Sequence, residues 1–179
     1  MTIAAGLRRV AGELHTWSDV ALGAKSCAWA VALPVLKHLV PVRRLAMTMR
    51  KAPDGSARDG AREQRIVTFA RWAARVTRWR SGGNCLERGL IAYRYLCEAG
   101  AEPLLVVGVG RGEEGLVGHA WVLVDGRPVG ESPSTLAAYT PVFTFASSGE
   151  LIEGLPEVPV AVEELGAVEP SVHIARTGR

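Results

Sequence analysis

Cys85, His119 and Glu131 are residue types that together perform nucleophilic catalysis, and the segments around them suggest how they meet. A thiol needs a base to take its proton, and the base needs a partner that fixes its tautomer. Cys85 follows Gly82, Gly83 and Asn84 and opens the apolar-periodic stretch LERGLIAYRYLCEAG. It therefore falls in the first turn of a helix, with Asn84 as the cap. There the sulfur faces unpaired backbone N–H groups and the positive end of the helix dipole, surroundings that favour thiolate. His119 begins the run HAWVLV and is the one histidine in the helix–strand–hairpin unit, so it is the natural general base. His15, His38 and His173 have no convergent partners and receive no role.

The elements that must position these residues can be read from periodicity. In the cysteine helix, Leu86, Leu90, Tyr93 and Cys97 recur on the face expected to be buried. Cys85, Gly89, Ala92 and Leu96 form the adjoining stripe, where small Gly89 and Ala92 let a sheet approach beneath the sulfur. Cys97, like Cys27 in the earlier helices, is expected to be a buried, inert thiol. Gly100 is the C-terminal stop. Pro103 to Val109 reads as a strand covered on both faces. Arg111 to Gly118, polar and glycine-rich, reads as a connecting loop, and His119 to Val124 as the next strand. Asp125-Gly126 is a hairpin signal. If the turn carries a bulge with left-handed Gly126, His119 faces Glu131; a two-residue turn sets Ala120 opposite Glu131 instead. The bulged form is the expectation, because it aligns the carboxylate with the imidazole. Asp125 lies six residues along the strand from His119, roughly 20 Å by strand rise, and is rejected as the orienting acid.

Before this unit the chain reads as helices. Thr2 to about Trp17 is a weak helix, and Ser18-Asp19 caps a second that runs to about Leu33. Pro34 starts a new turn, and Pro41 ends or kinks that element. The stretch from Lys51 to Gly60 is a loop by its turn residues. Ala61 to Arg80 is amphipathic, with Ile66, Phe69, Ala70, Ala73 and Val76 as its apolar stripe and arginines off it. Trp72 and Trp79 pack in the core on this reading. The expected division is a basic helical region over residues 1–80, a core over 81–145 and an acidic tail over 146–179, all within one structural domain.

Composition narrows the function classes. The net charge of +3 conceals a balance of +10 in residues 1–80 and −7 in residues 81–179. The basic helices either dock on the acidic half of the chain or steer an acidic partner. No basic, aromatic-bearing sheet accompanies Trp72 and Trp79, so nucleic acid is not an expected partner. The three cysteines fit no metal spacing and cannot all pair, which points to a reducing, cytoplasmic setting without a metal or other cofactor. The N-terminus lacks a signal-peptide h-region. The apolar run from Cys27 to Val40 is broken by Pro34, Lys37 and His38 and is too short to span a bilayer, so no transmembrane segment is expected.

NCLERGLIAYRYL, then a strand, then HAWVLVDGRPVGESP with TPVF beyond, resembles the transglutaminase-like leader peptidases of lasso-peptide biosynthesis. These are similar to the C-terminal part of the microcin-maturation protease. The likeness covers roughly residues 82–145, with a looser one in the helices before it. It implies a papain-like or transglutaminase-like α+β fold: N-terminal helices, then a cysteine helix packed on an antiparallel sheet. Cys85 matches the family's nucleophile, His119 its base and Glu131 the third, acidic member, where aspartate is frequent in the family. The implied reaction is removal of a leader from a precursor peptide through a thioester, with other acyl transfer, or a scaffold presenting the precursor to a cyclase, as alternatives. The implied partners are the precursor's leader, a separate leader-recognition protein and the lasso cyclase.

Overall fold

The computed structural model describes residues 17–76, 84–113 and 115–152. The expected helix over 2–17 falls almost wholly outside them; Trp79 and nearly all of the acidic tail fall entirely outside. Among the described residues four helices precede the sheet: α1 (Trp17–Leu39), α2 (Val42–Met49), α3 (Gly60–Val76) and α4 (Cys85–Glu98). The strands are β1 (Leu104–Gly112), β2 (Gly115–Val124), β3 (Arg127–Pro128), β4 (Tyr139–Phe145) and β5 (Leu151–Ile152). A one-turn helix, α5 (Pro133–Leu136), lies between β3 and β4. The sheet order is β3-β2-β1-β4-β5 with every neighbour antiparallel. This is the α+β arrangement that the resemblance implied.

Helix α4 is the central element, because apolar residues lie on most of its circumference. Leu90, Ile91, Tyr93, Leu96 and Cys97 are all buried, and α4 packs on α1, α2, α3, β1 and β2. Gly89 lets the sheet come close: a Cβ there would stand 3.2 Å from Leu105 Cδ1 and 3.9 Å from Ala120 Cβ. The small stripe therefore does what its spacing implied. In α3, Ile66, Phe69, Ala70 and Ala73 are buried as expected, and half-buried Trp72 packs on the same core.

Helix α1 departs from the expected break, since it continues through Pro34 to Leu39. An interior proline costs about 3 kcal/mol. Burial of Leu33 and packing of Leu36 hold the helix on both sides of it. By length and composition α1 would also suffice to cross a membrane, with a mean hydropathy of 1.4 in its most apolar window, so the limit set by the Cys27–Val40 run does not hold for the whole helix. One face of it nevertheless belongs to the core, through Ala30 and Leu33.

The glycine-rich stretch read as a loop is mostly strand. The ladder runs from Leu104↔Leu123 to Gly112↔Gly115. Within the stretch Gly112 serves packing, since a Cβ there would meet Val117 Cγ1 at 2.7 Å; just before it, a Cβ on Gly108 would meet the Trp121 ring at 2.9 Å, and one on Gly110 would meet Tyr139 at 2.9 Å. Polarity and glycine content concealed this ladder from the sequence.

The Asp125-Gly126 turn also differs from the expectation. Val124 pairs with Arg127 and Leu123 with Pro128, so the loop has two residues and no bulge. Both turn residues are left-handed, Asp125 at φ 52° and Gly126 at φ 73°, as a type I′ turn requires. Its twist matches that of the strands, which favours it over the bulged alternative. Extending this register would set Ala120, not His119, opposite residue 131.

Candidate active site

Cys85 is the first residue of α4 and is half-buried. Asn84 precedes it, but its side chain does not cap the helix. The Asn84 amide Nδ2 instead donates to the Ala74 carbonyl at 2.6 Å, tying the helix start to the end of α3. The N–H groups of the first turn thus keep no side-chain cap, and they point where an oxyanion could be received.

The thiol lies 3.9 Å from the carbonyl oxygen of Gly118, the residue before His119. This contact, rather than one to the imidazole, is the sulfur's hydrogen bond in the structure. The His119 ring is held on three sides. Its Nε2 is 2.9 Å from Glu131 Oε2, Tyr139 stacks on it with centroids 4.6 Å apart, and Trp121 stacks at 6.0 Å. A carboxylate accepting at Nε2 fixes the tautomer that leaves the Nδ1 lone pair free to take a proton.

Glu131 reaches His119 although the ladder register does not align them. Val129 still donates to Val122 at 3.0 Å, and then Gly130, at φ 74°, turns the chain. That bend delivers the carboxylate to the imidazole. A Cβ on Gly130 would stand 2.7 Å from Val67 Cγ1, so glycine serves both the turn and the close approach to α3. The expected contact between Glu131 and His119 is present, but the bulged register offered for it is not how it arises.

The other carboxylate oxygen of Glu131 accepts from Arg88, on the turn of α4 after Cys85. Arg88 is therefore a partner of the acid and not of the sulfur, a role that its i+3 spacing from Cys85 permitted but did not specify. Tyr139 was not legible as a site residue, because its approach depends on how β4 pairs with β1 across two glycines. Asp125 stands at the far end of the hairpin, bound to Arg58 at 2.5 and 3.0 Å.

Of the remaining thiols Cys97 is buried as expected, while Cys27 is only half-buried. Burial pushes Cys97 up to about 11 and also raises Cys27. Both are therefore neutral thiols at physiological pH, as a packing role requires. Among the described residues no cluster of histidine, cysteine and carboxylate side chains could hold a metal ion.

The transglutaminase-like superfamily matches residues 24–144, a span from within α1 almost to the end of β4 that includes all three candidate residues. No curated protein and no solved structure matches the chain. Members of the superfamily are typically cysteine peptidases or acyltransferases. With a cysteine at a helix start beside a histidine strand, and with most of its length matched, the chain belongs to the transglutaminase-like superfamily.

Proposed function

We propose that this protein is a cysteine peptidase that removes the leader from a ribosomally made lasso-peptide precursor. The observation that carries the chemistry is the His119–Glu131 hydrogen bond at 2.9 Å beside a helix-start thiol. What narrows the substrate is the combination of Cys-Leu-x-Arg, His-Ala-Trp-Val and Asp-Gly, which resembles the lasso leader peptidases.

In this reading the Cys85 thiol turns from the Gly118 carbonyl and gives its proton to Nδ1 of His119. Its sulfur then attacks the carbonyl carbon at the leader–core junction, forming an S–C bond. The first-turn N–H groups of α4, that of Cys85 among them, receive the oxyanion. Collapse breaks the C–N bond, and the imidazolium protonates the leaving amine. Water, deprotonated by His119, then hydrolyses the thioester and releases the leader. Glu131 holds the imidazole orientation throughout and offsets its transient charge.

The setting proposed is the cytoplasm, with a separate leader-recognition protein and the cyclase as partners. Exposed Arg71 and Arg75 on α3 suit the steering of an acidic partner better than Arg62 and Arg65, which are engaged by Asp54 and Asp19. The test is incubation of the purified protein with the precursor and recognition protein encoded beside it, followed by mass analysis. Cleavage at one junction, lost in Cys85→Ser, supports the peptidase. Transfer of the acyl group to an amine instead of water would make it an acyltransferase. Undiminished maturation with Cys85→Ser would make it a scaffold.

A further inference from the structure

Helix α4 covers only part of one sheet face. On that face Ala120, Val122, Leu105 and Phe145 are buried. The next positions along the same face are Gly118 in β2 and Val109, its cross-strand partner in β1. Leu116 follows in β2, while in β4 Phe143 pairs with Val107 and lies 6.4 Å, ring to ring, from Phe145. Just where the helix stops, these apolar side chains are exposed: Val109 by 38%, Phe143 by 46% and Leu116 by 78%.

Gly118 lies between this ledge and the sulfur, with its carbonyl 3.9 Å from Cys85 Sγ. No atom among the described residues comes within 4 Å of where a Cβ would stand at Gly118, and its φ is not left-handed. The fold therefore has no need of glycine there. Glycine inside a strand weakens it and marks a place where another backbone comes close.

We propose that the substrate chain crosses the sheet over Gly118 and seats an apolar side chain, adjacent to the bond that Cys85 attacks, on Val109, Leu116 and Phe143. The proposal rests on the peptidase reading and adds to it a preference for an apolar residue at the cleavage junction. Val109 and Phe143 act on specificity, and Gly118 keeps the path open.

The site can be probed without knowing the precursor. The whole protein is alkylated with iodoacetamide or with N-hexyl iodoacetamide, and modification of Cys85 is followed by peptide mass mapping. Rates are divided by those of each reagent with free N-acetylcysteine. The hexyl reagent should label Cys85 about tenfold faster than its parent, the gain expected from burying two or so methylenes. In Val109→Ser/Phe143→Ser that ratio should fall toward one. Gly118→Val, which fills open space, should slow the hexyl reagent selectively, with folding confirmed by circular dichroism. A ratio near one in the wild type overturns the proposal, and so does a ratio that both variants leave unchanged. Failure of the peptidase reading looks different: the hexyl preference is present, but the precursor is never cleaved.

Discussion

Glu131 Oε2 sits 2.9 Å from His119 Nε2, although the strand ladder points residue 131 toward Ala120. The contact depends on the bend at Gly130 and on Arg88, which takes the second carboxylate oxygen. The helix that carries Cys85 thus also anchors the carboxylate that holds the His119 ring.

Glu131→Gln should lower kcat while leaving KM nearly unchanged, because the imidazole loses its orienting charge and no substrate contact. Arg88→Ala should act in the same direction by about tenfold, the scale of one charged hydrogen bond. Arg88→Lys should recover part of that loss. Steady-state kinetics on the three variants checks this. A rise in KM alone for Arg88→Ala would assign Arg88 to substrate binding.

Cys85→Ser and His119→Ala should each remove turnover by about 10⁴-fold or more, the scale seen when a member of a catalytic unit is lost. Cys85→Ser should shift Tm little, since Cys85 is half-buried and its hydrogen bond is a long one to Gly118. His119→Ala should lower Tm as well, because it removes the ring stacked on Tyr139 and Trp121 and one partner of Glu131. Scanning calorimetry alongside the cleavage assay separates lost chemistry from lost folding.

Glu87 is only 1% exposed and pairs with Lys37 at 2.8 Å, tying α4 to α1. Its Oε2 is buried without a hydrogen-bond partner among the described residues. Lys37→Met should therefore destabilise by about 3 kcal/mol, because a buried carboxylate loses its counter-charge. Lys37→Met/Glu87→Leu should recover most of that loss. Chemical denaturation of both variants measures the difference, and a double variant no better than the single would refute the account.

The carboxyls of Asp54 and Asp125 are both held below their ordinary value of 3.8, the first chiefly by hydrogen bonding to Arg62 and the second by Arg58. A depressed carboxyl contributes stability that is present above its ordinary value and is lost as pH falls toward the folded-state value. Arg58→Gln should accordingly flatten the loss of stability between about pH 5 and pH 3. Thermal melts across that range test the slope.

Arg62 and Arg65 bear on the basic half of the chain. Arg62 binds Asp54 at 2.6 Å and Arg65 approaches Asp19 at 3.3 Å, so their carboxylates come from the same half and not from the acidic one. Among the described residues Lys37, Lys51 and Arg58 are the side chains that do cross, to Glu87, Glu98 and Asp125. Reversing Arg62 and Arg65 to glutamate should lower Tm. An unchanged Tm with a raised KM would return them to partner steering.

What the sequence disclosed was whatever depends on local period. The α4 stripe from Cys85 through Gly89 to Leu96, the α3 stripe and the Asp125-Gly126 turn follow from side chains within a few residues of one another. Features set by distant pairing were hidden. The turn type, and with it the register at Glu131, depends on matching strand twist. The β1–β2 ladder through Gly112 and Gly115 has no apolar alternation to announce it. Tyr139 comes to His119 only because Gly108 and Gly110 leave the sheet thin beneath two rings. Local rules make Pro34 a break because they cannot weigh the core contacts of Leu33.

The segment from Arg50 to Asp59 lacks regular structure yet is fastened along its length. Lys51 and the Asp54 N–H engage Glu98, Asp54 engages Arg62, and Arg58 clasps Glu63 and Asp125. It bridges the far end of the cysteine helix to the tip of the histidine hairpin, so it works as a tether between the two halves of the site. Surface connections ordinarily accept inserted residues at little cost. This one should not, and a short glycine–serine insertion after Ser56 would loosen the grip between nucleophile and base without touching either.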